Sequence, residues 1–176
     1  MSASPRLSAL LWFGISPAKL SLSKALRMLN PDYRDILSAL SDARADYLVV
    51  GAYALASHGL VRATRDLDLW VRATPENAIR VFDALVVFGA PADHIKVEEL
   101  TTEDTVLQLG VDPVRIDILT SVSGLEFQAA WEHRQVLELD GLKISVVSLE
   151  DLVANKRATG RPQDLLDIKW IEDSQK

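Results

Sequence analysis

The sequence predicts an α+β fold, a single domain in which helices pack on a mixed β-sheet. Three observations predict it. The chain has 176 residues, the size of one domain, and 48% of them are apolar, enough for a sizeable core. Short apolar runs of strand length alternate with segments of helical spacing. Two strand pairs are closed by tight-turn sequences, Val111-Asp112-Pro113 and Asp140-Gly141, the second a strong hairpin signal.

Residues 1–29 are rich in Ser, Leu and Ala without clear periodicity. They read as an N-terminal extension to a domain spanning residues 30–176. Residues 7–15 are apolar behind the lone Arg6, a weak signal-peptide pattern; a docked extension or a start codon set too far upstream accounts for it as well. Asn30-Pro31-Asp32 then supplies an N-cap, a Pro at the first helical position and an acid in the first turn. Tyr33, Ile36, Leu37 and Leu40 follow at helical spacing. Residues 47–50 are an apolar run before Gly51, a buried strand, and residues 52–58 a compact helix with Gly59 at its C′ position. Residues 67–72 alternate as a strand. Thr74-Pro75-Glu76 opens a helix with Ile79, Phe82, Leu85 and Val86 inward and Gly89 at its end. Residues 90–104 are mostly loop. Residues 105–109 and 114–119 read as strands, and 127–133 as a short helix. Residues 135–139 and 142–147 are strands again. Ser148 caps a helix that Gly160 ends, and Pro162 starts a last helix through Trp170, with Trp131 and Trp170 as packing residues.

Composition narrows the function. There is no cysteine, so disulfides, thiolate nucleophiles and cysteine zinc sites are excluded, and a reducing cytoplasm is the expected location. The net charge of −6 argues against broad capture of nucleic acid, though not against a local basic groove. No apolar run is long enough to span a bilayer, so no membrane partner is expected. His58, His94 and His133 lack zinc-motif spacing. There is no nucleophile elbow, no P-loop and no dinucleotide fingerprint.

The chemistry-bearing residues are carboxylates. Residues two apart on a strand share a face, so Asp66 and Asp68 project side by side while Leu67, Leu69 and Val71 face a core. Like charges held this close raise each other's pKa unless a cation neutralises them, and magnesium favours such oxygen ligands. Asp117, central in the run Arg115-Ile116-Asp117-Ile118-Leu119, completes a set of three that suits a two-metal site. Taken alone, Asp-x-Asp more often marks a solvated strand end, and Asp117 alone more often forms a salt bridge to an Arg. Gly51, between strand and helix, lets backbone approach a ligand closely, and the helix start offers N–H groups to phosphate. Tyr53 is placed to stack on a base or to pack. Lys156, Arg157 and Arg161 bracket a helix end, either as phosphate contacts or as a solvated charged face.

The run Gly51 … Asp66-Leu67-Asp68 with Asp117 on a later strand resembles the polymerase-beta-like nucleotidyltransferase superfamily. Its wider context (residues 50–59, Arg62-x-Thr64-x-Asp66-x-Asp68, and residues 155–164) resembles small bacterial nucleotidyltransferase-like proteins related to abortive-infection type toxins. The resemblance covers residues 31–176 and implies the nucleotidyltransferase fold. It implies that Asp66 and Asp68 bind magnesium with a nucleoside triphosphate, that Asp117 helps bind metal and activates the acceptor hydroxyl, and that Lys156 meets phosphates. Two Mg2+ ions, with Mn2+ as a substitute, are the implied cofactors. Gly51, Ala52, Tyr53, Arg62, Thr64, Arg161 and Asp164 are the further expected nucleotide-site residues, Asp164 either orienting Lys156 or contacting the acceptor. One departure stands out: the second motif position, usually Ser or Gly, is Ala52.

The expected function is Mg-dependent transfer of a nucleoside monophosphate from a nucleoside triphosphate to a hydroxyl of RNA, protein or a small molecule, in a toxin–antitoxin or phage-defence setting. A homodimer or a cognate antitoxin or toxin partner is expected to complete the site. The alternative is a catalytically silent protein of the same fold that binds nucleotide, RNA or a partner protein. A metal-dependent glycosyltransferase also uses Asp-x-Asp, but the chain is short for one, and the Gly turn and third Asp fit it less well.

Overall fold

Asn30 opens helix α1 (Pro31–Asp42) by accepting a bond from the Asp32 N–H, 2.9 Å long. This computed structural model describes residues 30–111, 113–139 and 141–175; the N-terminal extension and the leader pattern read within it lie outside them. Tyr33, Ile36, Leu37 and Leu40 are buried, as their helical spacing predicts. The elements that follow are β1 (Tyr47–Val49), α2 (Gly51–Ser57), β2 (Asp66–Val71) and α3 (Pro75–Phe88). After them come β3 (Val106–Val111), β4 (Val114–Leu119), α4 (Phe127–His133), β5 (Gln135–Leu139), β6 (Leu142–Val146), α5 (Leu149–Thr159) and α6 (Pro162–Ser174). Two short 3-10 turns, Ala92–His94 and Val97–Thr101, occupy the stretch read as loop.

The six strands form one sheet in the order β3-β4-β2-β1-β6-β5. β2 runs parallel to β4 and β1 parallel to β6, while the β1–β2, β3–β4 and β5–β6 pairs are antiparallel. The sheet is therefore mixed, as predicted. Both tight-turn hairpins form, with Val111 opposite Val114 and Leu139 opposite Leu142. One continuous hydrophobic core joins α1, α3 and the central strands. Among the described residues no helix is long and apolar enough to cross a membrane.

Helix α3 keeps half of its expected inner face, with Leu85 buried and Phe82 packed against the core, but turns Ile79 and Val86 outward. Ile79 is 54% exposed and Val86 41%, while Asn77, Ala78, Val81, Ala84 and Leu85 are buried. Small side chains on the inner face let the helix approach its neighbours closely. Asn77 also fixes the phase. Its Oδ1 accepts from the Asp46 N–H at 2.7 Å, and its Nδ2 donates to the Asp46 and Arg72 carbonyls at 3.0 Å each. Buried backbone groups need such partners. Asn77→Ala therefore costs about 2 kcal/mol of unfolding free energy, because it strands the Asp46 N–H and removes one of the two bonds to each of the Asp46 and Arg72 carbonyls, which keep the Arg72 and Thr74 N–H groups; urea denaturation measures it.

Helix α6 departs in the same way. Its inner face carries Asp164, Asp167, Ile168 and Ile171, which leaves Leu165, Leu166 and Trp170 exposed. Trp170 is thus not a core-packing residue, whereas Trp131 stacks on Phe127 with ring centroids 5.8 Å apart. Two buried aspartates on an inner helix face need a buried cation, and the site supplies it.

Candidate functional site

The parallel pairing of β2 with β4 sets Asp66 opposite Arg115 and Asp68 opposite Asp117. Because side chains alternate along a strand, these four charged groups occupy one patch of one sheet face. The intervening Leu67, Leu69, Ile116 and Ile118 are 0–2% exposed on the opposite face. A slip of one residue in either strand would bury the carboxylates and expose the leucines, so the core fixes the register of the site.

One carboxylate oxygen from each of Asp66, Asp68 and Asp117 lies within 4.8 Å of the others. Burial, and then the charges of Asp66 and Asp117, push the Asp68 carboxyl up to about 6, against the pull of Arg115 and Arg161. Three oxygen donors converging in this way, one of them held far above its ordinary pKa, form a set that a hard divalent cation fits.

Gly51 makes the approach of Asp68 possible. Its backbone lies in the left-handed region (φ +64°), and a Cβ there would collide with Asp68 Oδ2. The Val50 N–H donates to the Asp68 carbonyl at 3.0 Å, tying the β1–α2 turn to β2. Thr64 Oγ1 donates to Asp66 Oδ1 at 2.5 Å and orients that carboxylate.

A positive charge already stands among the acids. Arg115 Nη2 is 2.7 Å from Asp66 Oδ2 and 3.0 Å from Asp117 Oδ2, and its Nε donates to Asp117 Oδ1 at 3.0 Å. This two-pronged grip on Asp117 is among the stronger ion-pair geometries. The commoner role of a lone strand Asp, a salt bridge to an Arg, and the triad role thus coexist in Asp117. A metal held by all three carboxylates competes with Arg115 for Asp66 and Asp117. Arg115→Gln is expected to bind Mn2+ about tenfold more tightly in calorimetry, since those charge-assisted bonds no longer have to break. Weaker binding would make Arg115 a positioning group for the ligands.

The triad opens into a cleft of about 430 Å³. Gly51, Ala52, Arg62, Thr64, Lys156 and Arg161 all line it, together with Asn155 and the loop from Ser121 to Ser123. Lys156 is buried. Its Nζ donates to Asp167 Oδ2 at 2.7 Å and Asp164 Oδ1 at 3.1 Å. Arg161 Nε donates to Asp164 Oδ2 at 2.7 Å, and Arg62 Nε lies 3.4 Å from Asp167 Oδ1. Burial raises the Asp164 pKa, but the hydrogen bonds from Arg161 and Lys156 outweigh it and hold that carboxyl below the usual range. Two carboxylates thus fix three cations along one wall of the cleft.

Two expected nucleotide-site residues stand elsewhere. Tyr53 lies outside the cleft, where it meets Tyr33 edge-on at 5.5 Å and lines a neighbouring groove with Ala56 and Val61. Asp164 is 1% exposed, so it acts on the cleft through Lys156 and Arg161 and is out of reach of an acceptor. Arg115 and Asp167 are the site residues that sequence reasoning did not assign. Arg115 carried a signal, since it sits two before Asp117 and must share its face. Asp167 carried a fainter one, three residues after Asp164 on a helix.

A family model described as "Nucleotidyltransferase of unknown function" (DUF6036) matches residues 37–175. The crystal structure of a candidate nucleotidyltransferase from Thermotoga maritima superposes with a TM-score of 0.54 at 20% identity, covering 83% of this chain and 96% of that one. Identity at that level speaks to the fold alone. No curated protein matches the chain. With a mixed sheet that presents three clustered aspartates beside a glycine turn, and a family model that spans most of its length, the chain belongs to the DUF6036 family of nucleotidyltransferases and has the nucleotidyltransferase fold.

Proposed function

We propose that this protein transfers a nucleoside monophosphate from a nucleoside triphosphate to an acceptor hydroxyl. The observation that carries this reading is the convergence of Asp66, Asp68 and Asp117 in a cleft whose other wall holds Arg62, Lys156 and Arg161. Asp66, Asp68 and Asp117 would hold Mg2+, or Mn2+ in its place, and the ion supplies charge neutralisation to the phosphates. Arg62 and Arg161 meet the phosphate oxygens, and Lys156 keeps the acidic wall behind them neutral. The acceptor oxygen attacks the α-phosphorus, the bond from that phosphorus to the bridging oxygen of the β-phosphate breaks, and pyrophosphate leaves. Asp117 takes the proton of the acceptor hydroxyl. Positioning and electrostatics provide the acceleration.

A role in a toxin–antitoxin or phage-defence pair and completion of the site by a second copy or a cognate partner belong to the same proposal and rest on the sequence resemblance, while a cytoplasmic location rests on the absence of cysteine. One observation favours the silent alternative, namely that Arg115 already neutralises two of the three carboxylates. Label transfer from four α-labelled nucleoside triphosphates, with Mg2+, to RNA, protein and small-molecule fractions separates the two. Label on one fraction is the expected result. A folded protein that binds triphosphate but labels none of them is the silent protein.

A further inference from the structure

Helix α1 starts beside a groove that nucleotidyl transfer leaves unused. Tyr33, three residues after the Asn30 cap, donates its hydroxyl to the Arg65 carbonyl at 3.0 Å and meets the Tyr53 ring edge-on. Tyr53 in turn lines a groove of about 270 Å³, made mainly apolar by Ala52, Ala56, Val61 and Ala63. Val61 is 53% exposed there. Ala52, Arg62 and Thr64 line both this groove and the triad cleft, so the two share a rim.

The chain that leads into α1 is placed to reach this groove. An α-helix rises about 1.5 Å per residue, so Asn30 stands only about 4.5 Å along the axis from Tyr33. Whatever precedes Asn30 therefore sets out from the neighbourhood of Tyr53. Residues 20–29 contain Leu20, Leu22, Leu26, Met28 and Leu29, apolar side chains that gain by leaving water. Charge points the same way. Residues 1–29 hold Arg6, Lys19, Lys24 and Arg27 and no Asp or Glu, so the net −6 of the chain divides into +4 there and −10 over residues 30–176. A basic, leucine-rich segment thus enters the domain next to an apolar groove on an acidic body.

We propose that residues 20–29 dock in this groove, with their leucines on Tyr53, Ala56, Val61 and Ala63. Docking takes the leucines and the exposed Val61 out of water together. The occupant is the chain's own segment rather than a second copy. A tether of a few residues holds it at an effective concentration on the order of millimolar, and no second molecule has to be captured. The inference stands apart from the nucleotidyltransferase reading, since it rests on the groove, the start of α1 and the composition of the extension. It has a consequence for the site all the same. Because the groove and the cleft share Ala52, Arg62 and Thr64, the docked segment forms the outer rim of the triad cleft.

The chain has no cysteine, so a nitroxide attached at Ser23→Cys marks the extension alone and leaves the groove intact. Paramagnetic broadening in NMR spectra of the full chain then reports what the extension approaches. The amide signals of Tyr53, Ala56, Val61 and Ala63 are expected to lose most of their intensity. Those of Val86 and Val87 should keep theirs, since Val87 lines a separate groove by Asp42 at the far end of α1. Adding Leu22→Asp and Leu26→Asp should restore the groove signals. No broadening at the groove, equal broadening at Val86 and Val87, or broadening that survives the two added substitutions would overturn the proposal. Broadening of isotope-enriched, unlabelled chain mixed with nitroxide-labelled chain would overturn it too, by making the occupant a second copy. Binding of the wild type to vesicles of phosphatidylcholine and phosphatidylglycerol, abolished by Leu22→Asp with Leu26→Asp, would give the leucines to a membrane and likewise overturn it.

Discussion

Asp68→Asn is expected to cut nucleotidyl transfer by at least about 100-fold, the scale on which metal ligation and charge stabilisation act, and at the same time to stabilise the metal-free fold above pH 6. Both effects have one cause. Asp68 is held beside Asp66 and Asp117 with its pKa pushed up to about 6. The unfolded chain has an ordinary Asp pKa of about 3.9. Between those values the native state binds more protons than the unfolded state, so wild-type stability falls as pH rises through this window and stays lower above it. Asn carries no charge and escapes the loss. The variant should gain about 1–2 kcal/mol over wild type at pH 8, after a discount for solvent screening, and nothing below pH 4. Label transfer measures the first effect, and thermal melts in chelator across this range the second. A variant equally active, or less stable at pH 8, contradicts the assignment.

Lys156→Met is expected to produce the largest loss of stability, about 3–5 kcal/mol, the cost of leaving buried charges without their partner. Asp164 and Asp167 are each 1% exposed, and both bond the Lys156 ammonium. Arg161 and Arg62 remain near them at the rim, but their geometry does not replace a central ammonium. The pKa of Asp164 is depressed in the fold, so its contribution is present above the unfolded pKa and disappears as pH falls through the folded value. The difference between wild type and variant should therefore shrink in acid. Adding Asp167→Asn to Lys156→Met should recover part of the loss in a double-mutant cycle. Additive losses would mean that the pair does not act as a unit.

The legible parts of this molecule are those that short periodicities specify. Asp66 and Asp68 announce their shared face through period-two alternation, and the alternating Leu67 and Leu69 announce the core. Gly51, Gly89 and Gly160 mark turns because each sits where the chain must adopt a left-handed conformation. Strand adjacency is a different matter. Nothing local says that β2 lies beside β4, yet that pairing brings Asp117 to Asp68 and inserts Arg115 between Asp66 and Asp117. Ile79 and Val86 on α3 and Trp170 on α6, read as packing residues but exposed, show the same limit. On α6, the need to neutralise Lys156 turned two aspartates inward and Trp170 outward; on α3, the backbone groups near Asp46 and Arg72 claimed Asn77 and so placed Ile79 and Val86 outside. In both cases a few buried polar bonds outweighed the burial of larger apolar side chains. Tyr53 had two readings from sequence, and its contact with Tyr33 on α1 belongs to packing.

The central claim is that Asp66, Asp68 and Asp117 form a metal site that serves a triphosphate. Titration of Mn2+ followed by electron paramagnetic resonance, with and without a non-hydrolysable ATP analogue, tests it most directly. Wild type is expected to remove the free Mn2+ signal, more tightly when the analogue is present, and Asp66→Asn and Asp68→Asn are not. Equal Mn2+ binding by all three proteins, or none by the wild type in the presence of the analogue, would contradict it.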